Sequence, residues 1–124
     1  MNLEFTNVFE DIRGKIMVIR YGDIECRIVE IKKGFSRGGH YHPYPSEHYI
    51  ISGKIEYREE DINSQNESFR IIGVADVIKT SSNMAHLFTA LDDSLFMELS
   101  VGNYEAVYYP KYRKIVEEKM QTEK

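Results

Sequence analysis

Turn signals cut this chain into short apolar or alternating segments, and that segmentation constrains its fold more than any other feature. The breaks are Tyr21-Gly-Asp, Lys33-Gly, Arg37-Gly-Gly, Pro43-Tyr-Pro, the stretch 61–67, Ser81-Ser-Asn and Asp92-Asp93. Between them lie β-branched or alternating runs at 15–20, 24–31, 49–57 (hinged at Gly53), 69–74, 76–80, 86–91 and 94–99. In the second run Ile24, Cys26 and Ile28 share one face, while Arg27, Val29 and Ile31 share the other. Many short strands with polar turns point to a sandwich or barrel. The acidic stretch 59–67 reads as an exposed hairpin loop. Only the C-terminus changes period. Tyr112, Ile115, Val116 and Met120 recur at helical spacing after Pro110, which suits a first helical turn. Lys111, Arg113 and Lys114 precede Glu117 and Glu118, an order that opposes the helix dipole. This helix therefore depends on packing its apolar stripe.

A length of 124 residues suits one domain. The expected division is a β-barrel over 1–108 and a C-terminal helix and tail over 109–124. A net charge of −4 argues against a nucleic-acid binder, which needs a basic excess. No apolar run reaches the 18 or so residues of a membrane span. The first residues lack a signal-peptide pattern, and the single Cys26 forms no internal disulfide. A cytoplasmic location is the resulting expectation. Open sheet edges and an aromatic C-terminal segment lead to the expectation of a homodimer.

Chemistry concentrates at the histidines. All 4 are His40, His42, His48 and His86, so three fall within one short stretch. Alternation in a strand points His40 and His42 the same way, about 7 Å apart. With Glu47 and His86 they form a nitrogen and oxygen ligand set suited to Zn, Fe, Mn, Ni or Cu. The same groups without a metal form an acid–base site.

The run Gly39-His-Tyr-His-Pro-Tyr-Pro-Ser-Glu-His-Tyr-Ile-Ile-Ser-Gly53 resembles the first cupin motif, two histidines and a glutamate before a glycine turn. Asp76-Val-Ile-Lys-Thr-Ser-Ser-Asn-Met-Ala-His-Leu-Phe88 resembles the second, which carries a histidine. The resemblance implies an all-β jelly-roll barrel with His40, His42, Glu47 and His86 around one divalent metal ion. It departs from the family in one spacing. Five residues, not six, separate Glu47 from Gly53. Counting back from Gly53 puts Ser46 in the glutamate position. Either a bulge turns Glu47 inward, or His48 faces inward instead.

A narrower likeness is carried by Phe9-Glu-Asp-Ile-Arg-Gly14 and Lys32-Lys-Gly-Phe-Ser-Arg-Gly-Gly-His-Tyr-His42. Both are similar to elements of the dTDP-4-dehydrorhamnose 3,5-epimerases and the related dTDP-sugar ketoisomerases. That resemblance implies a small-molecule substrate, a dTDP-sugar. His40 would be the base, joined by His42 in the ketoisomerase pattern. Arg13 and Arg37 would contact the nucleotide, and His86 and Tyr104 would line the sugar pocket. Where the epimerases carry a catalytic tyrosine this chain has Glu98, an acid only if burial raises its pKa. The epimerases also have glutamine at His42 and a lysine near Ile50 or Ile51. Three readings stay open: an acid–base isomerase or epimerase on a nucleotide-linked keto sugar, a metal-dependent cupin enzyme of dioxygenase or isomerase type, and a non-catalytic sugar-binding cupin.

Overall fold

All but one of these turn signals separate strands in the computed structural model, which describes residues 2–101 and 104–122. The elements run β1 (Leu3–Asp11), β2 (Gly14–Tyr21), β3 (Ile24–Ile31), β4 (Ser36–Tyr41), β5 (Ser46–Ser52), β6 (Lys54–Asp61), β7 (Glu67–Gly73), β8 (Val77–Thr80), β9 (Met84–Ala90), β10 (Ser94–Val101), β11 (Val107–Tyr108) and α1 (Pro110–Thr122). One sheet has the order β1-β2-β3-β10-β5-β8 and the other β11-β4-β9-β6-β7. Two antiparallel sheets facing each other form the sandwich expected of the pattern, in the jelly-roll form that the resemblance implies, with one C-terminal helix. The acidic stretch is shorter as a loop than expected. β6 runs to Asp61 and β7 starts at Glu67, leaving only the turn between them.

Alternation decides what enters the core. On β5 the inward residues are Ser46, His48 and Ile50; on β10 they are Ser94, Phe96 and Glu98. Val29, Ile31, Ile50 and Phe96 from the first sheet meet Ile55, Tyr57, Phe88 and Ala90 from the second. Phe88 and Phe96 stack across the two sheets at 4.7 Å between ring centroids. Tyr57 adds a buried hydroxyl, hydrogen-bonded to Thr80 at 2.7 Å.

The helix covers the outer face of the second sheet. Its Tyr112 and Val116 pack on Ala85 and Leu87, the outward residues of β9. Tyr112 also donates to Glu67 (2.7 Å) and Lys111 pairs with Glu60 (2.5 Å). Packing and ion pairs thus offset the unfavourable charge order along the helix. It is not long and apolar enough to cross a membrane.

Two features lay outside the sequence pattern. β1 pairs with β2 at the edge of its sheet, yet all of its residues are exposed, Phe5 and Val8 included. A strand buried on neither face leaves no clean period to read. The second is Arg37-Gly-Gly, which is a bulge within β4 and not a break. The pairing with β9 slips between Gly38 and His40, so His40 lands opposite His86. Gly38 has φ +97°, and a Cβ there would lie 2.8 Å from the His86 carbonyl oxygen. Gly39 has φ +75°, and its Cβ would meet the Arg113 backbone at 3.0 Å.

Gly38→Ala should therefore cost about 1–3 kcal/mol from the left-handed backbone alone, measured by urea denaturation. Gly73→Ala, where a Cβ has room, is the control. Equal, small losses in the two variants would contradict this account of the bulge.

Candidate metal centre

The bulge in β4 and the pairing with β9 set His40 against His86, and strand alternation carries His42 to the same side. The ring centroids lie 4.8 Å apart for His40–His42, 4.8 Å for His40–His86 and 5.1 Å for His42–His86. One ring nitrogen from each falls within 4.8 Å of the others, close enough for the three to hold one metal ion. His42 and His86 are almost fully buried.

The surrounding backbone fixes how two of these rings present themselves. The Nδ1 of His42 lies 2.6 Å from the Glu105 carbonyl, and the Nδ1 of His86 lies 3.1 Å from the Met84 carbonyl. A carbonyl only accepts, so each Nδ1 carries the proton and donates. Each Nε2 is then left with a lone pair, and both Nε2 atoms are buried without a hydrogen-bond partner. Bonds of this kind, from the far ring nitrogen to a backbone carbonyl, fix the tautomer and orientation of metal-binding histidines. Burial, with the neighbouring His42, lowers the His40 pKa to about 4. Burial, with His40 and His48, holds His86 well below the ordinary imidazole value. Neutral rings are the form that binds metal.

Glu47 is not part of this group, which corrects the expected ligand set. In register it pairs with Leu99 on one side and Lys79 on the other, both exposed outward residues. Its carboxylate accepts a hydrogen bond from Tyr49. No bulge turns it in. His48 faces inward instead, aligned with Ile78 and Glu98, and is 1% exposed. The five-residue spacing before Gly53 was the signal for this shift. His48 Nε2 meets Glu98 Oε2 at 2.6 Å, which leaves His48 Nδ1 and Glu98 Oε1 buried and unpartnered.

Burial pushes Glu98 up, but the His48 hydrogen bond and the adjacent imidazoles outweigh it and hold the carboxyl below its usual value. Glu98 is therefore an ionised acceptor. The neutral proton donor considered from the sequence is not what its surroundings favour.

A cavity of about 490 Å³ opens onto His40, His48, His86 and Glu98, walled by Phe9, Phe88 and Phe96. Arg13, Arg37 and Tyr104 all line it, so the structure brings these expected contacts to the site. Both arginines are already engaged. Arg37 donates from Nε to the Glu30 carbonyl (2.8 Å) and from Nη2 to the Gly14 carbonyl (3.0 Å). Arg13 forms an ion pair with Asp11 at 2.6 Å. Arg27 and Arg113 line the same cavity. No motif in the sequence joins these two, because one comes from β3 and the other from α1. Cys26 is half-buried on β3, and burial pushes its thiol up, which disfavours a nucleophilic role.

Solved structures share this architecture. CapF, the capsular polysaccharide assembling protein of Staphylococcus aureus, superposes with a TM-score of 0.72 at 17% identity, over 82% of this chain and 33% of that one. The oxalate decarboxylase of Lactobacillus farciminis, in its formate complex, gives 0.72 at 20% identity, over 94% and 37%. The fold is cupin-like. The Bacillus subtilis oxalate decarboxylase, a protein with Mn(II) centres, gives 0.71 at 21% identity, over 83% and 30%. This chain thus spans about a third of each of these proteins. No protein-family model and no curated protein matches the sequence.

The depressed histidines set the pH response of the metal-free protein. An unfolded histidine takes up its proton near pH 6.5, whereas folded His40 stays neutral down to about 4 and His86 is also lowered. The unfolded chain binds more protons in that window, so stability is complete above pH 6.5 and falls towards pH 4. His40 alone should account for a loss on the order of 3 kcal/mol. Urea denaturation in chelator at pH 7 and pH 4.5 should show the loss, and His40→Gln should reduce it. Equal stability at the two pH values would refute the buried, neutral cluster.

Proposed function

We propose that this chain is a metal-dependent cupin enzyme, of dioxygenase or isomerase type, that holds one divalent ion through His40, His42 and His86. One observation carries the reading: the Nε2 atoms of His42 and His86 are buried, unpartnered and fixed as acceptors by Nδ1 bonds to backbone carbonyls. Leaving such atoms unsatisfied costs about 1–3 kcal/mol each, and a cation removes that cost. Imidazole donors suit Zn, Fe, Ni and Cu, and the Mn(II) centres of a structural neighbour add Mn to the set. Three protein ligands leave coordination positions open, which is the mark of a catalytic site. When bound, the ion would supply Lewis-acid polarisation of a substrate oxygen.

The chain's own residues supply the rest. His48 donates from Nε2 to Glu98, which leaves its Nδ1 able to accept a proton. Glu98 adds a fixed negative charge that favours a cation nearby. Phe88 and Phe96 give the cavity an apolar inner wall.

A second reading is supported by the placement of His40, Arg13 and Arg37 around one cavity. It is acid–base isomerisation of a nucleotide-linked keto sugar, with His40 as the base and no metal.

Calorimetric titration of metal-free protein with Zn(II), Mn(II), Fe(II), Ni(II) and Cu(II) separates the two. The proposal expects about one equivalent bound, an affinity lowered at least ~100-fold in His42→Ala, and no change in Glu47→Ala. Failure of every ion to bind, or binding indifferent to His42→Ala, would remove the metal reading. Uptake of solvent deuterium by a dTDP-4-keto sugar would then support the isomerase.

A further inference from the structure

Four arginines line the cavity, and they divide into two kinds. Arg13 and Arg37 are committed to Asp11 and to backbone carbonyls. Arg27 and Arg113 are not fully used. Arg27 forms an ion pair with Glu25 through Nη2, yet its Nη1 is buried and has no hydrogen-bond partner. Arg113 reaches the Gly38 carbonyl through Nη1 at 3.3 Å and pairs loosely with the exposed Glu117 through Nη2 at 3.9 Å, and its Nε is likewise buried and unpartnered.

Each of these two guanidinium groups lies over a tyrosine ring. Arg27 sits 3.8 Å from the Tyr104 centroid and Arg113 sits 4.6 Å from that of Tyr108. Stacking holds the plane of the group and leaves its N–H edge free to bond. Both tyrosines line the same cavity. A buried guanidinium N–H without an acceptor costs more than a neutral donor does, and two of them beside one cavity call for an acceptor from outside the chain. A fork of N–H groups matches the paired oxygens of a carboxylate or phosphate.

We infer that the ligand of this cavity carries an anionic group, a carboxylate or phosphate, recognised by Arg27 and Arg113, on a body that packs against Phe9, Phe88 and Phe96. The volume of about 490 Å³ lies in the range of small-molecule sites and exceeds what the anionic group alone would fill. The inference names the substrate class of the proposed metal site. It rests on that reading only in making this ligand the one that reaches the histidines. The contacts that bind the anion come from the arginines.

The test uses benzoate, phenyl phosphate and the neutral isostere benzamide, titrated calorimetrically into the metal-free and the Zn(II)-loaded protein at fixed ionic strength. At least one anion should bind tenfold or more tightly than benzamide, and the tighter of the two identifies the class. Arg27→Gln and Arg113→Gln should each weaken that anion about tenfold and leave benzamide unchanged. Arg27→Lys, which keeps the charge but loses the fork, should also weaken it. Circular dichroism checks that each variant is folded. Equal binding of anion and amide, no binding of either anion, or folded variants that bind the anion as wild type does would overturn the inference. The anion preference should persist in metal-free protein and in His42→Ala. Loss of the metal reading and loss of this one therefore give different results.

Discussion

The pairing of β4 with β9 across the Gly38–Gly39 bulge is the constraint on which the site depends. Without the slip in register, His40 would not lie opposite His86. Both glycines have left-handed backbones, and each stands where a side chain would collide, Gly38 with the His86 carbonyl and Gly39 with the start of α1. The same bulge therefore aims a histidine inward and lets the helix close on the outside of the sheet. That closure brings Arg113 to the cavity and places Tyr109 N–H on the Gly39 carbonyl at 2.8 Å. Site and helix are parts of one packing solution.

Polar groups in the barrel interior divide by how well they are satisfied. Tyr57 with Thr80 is a complete pair that joins the two sheets inside the barrel, and Ser36 with Thr89 is a complete pair on the outer face of the second sheet. Around the cavity the reverse holds. Atoms of His42, His48, His86, Glu98, Arg27 and Arg113 are buried with no partner. Native proteins keep few such atoms; here Arg27, His48, His86, Glu98 and Arg113 line the cavity and His42 adjoins them, while Glu25, Ser46, Arg58 and Ser100 carry such atoms away from its wall. The cavity wall carries donors, acceptors and, in Glu98, a carboxylate held in its ionised form, the groups that the proposed cation and anion would meet.

Much of the fold was legible because alternation and turn residues are local. Strands β2, β3 and β5 to β10, the helix over its apolar stripe and the shared direction of His40 and His42 all follow from short-range pattern, whereas β4 and the two-residue β11 do not. β1 escaped because exposure on both faces erases the period. The bulge was taken for a turn because glycine pairs serve both. The site was legible as far as its histidines. Glu47 and His48 differ by one residue, and one residue is the whole difference between the two faces of a strand. The short spacing before Gly53 held the answer, but only the pairing with β8 and β10 decides it. Glu98 was visible as a position and not as a partner of His48, since register across strands is a long-range property. Arg27 and Arg113 carry no local signal at all.

The claim most open to direct test is that three imidazoles converge on one ion. X-ray absorption at the metal edge of the loaded protein reads the ligand shell itself. The account predicts a first shell containing three histidine nitrogens at about 2.0–2.1 Å for Zn(II), with the outer-shell scattering of imidazole rings, falling to two in His42→Ala. A shell of oxygen atoms without imidazole scattering, or one unchanged by that substitution, would contradict it.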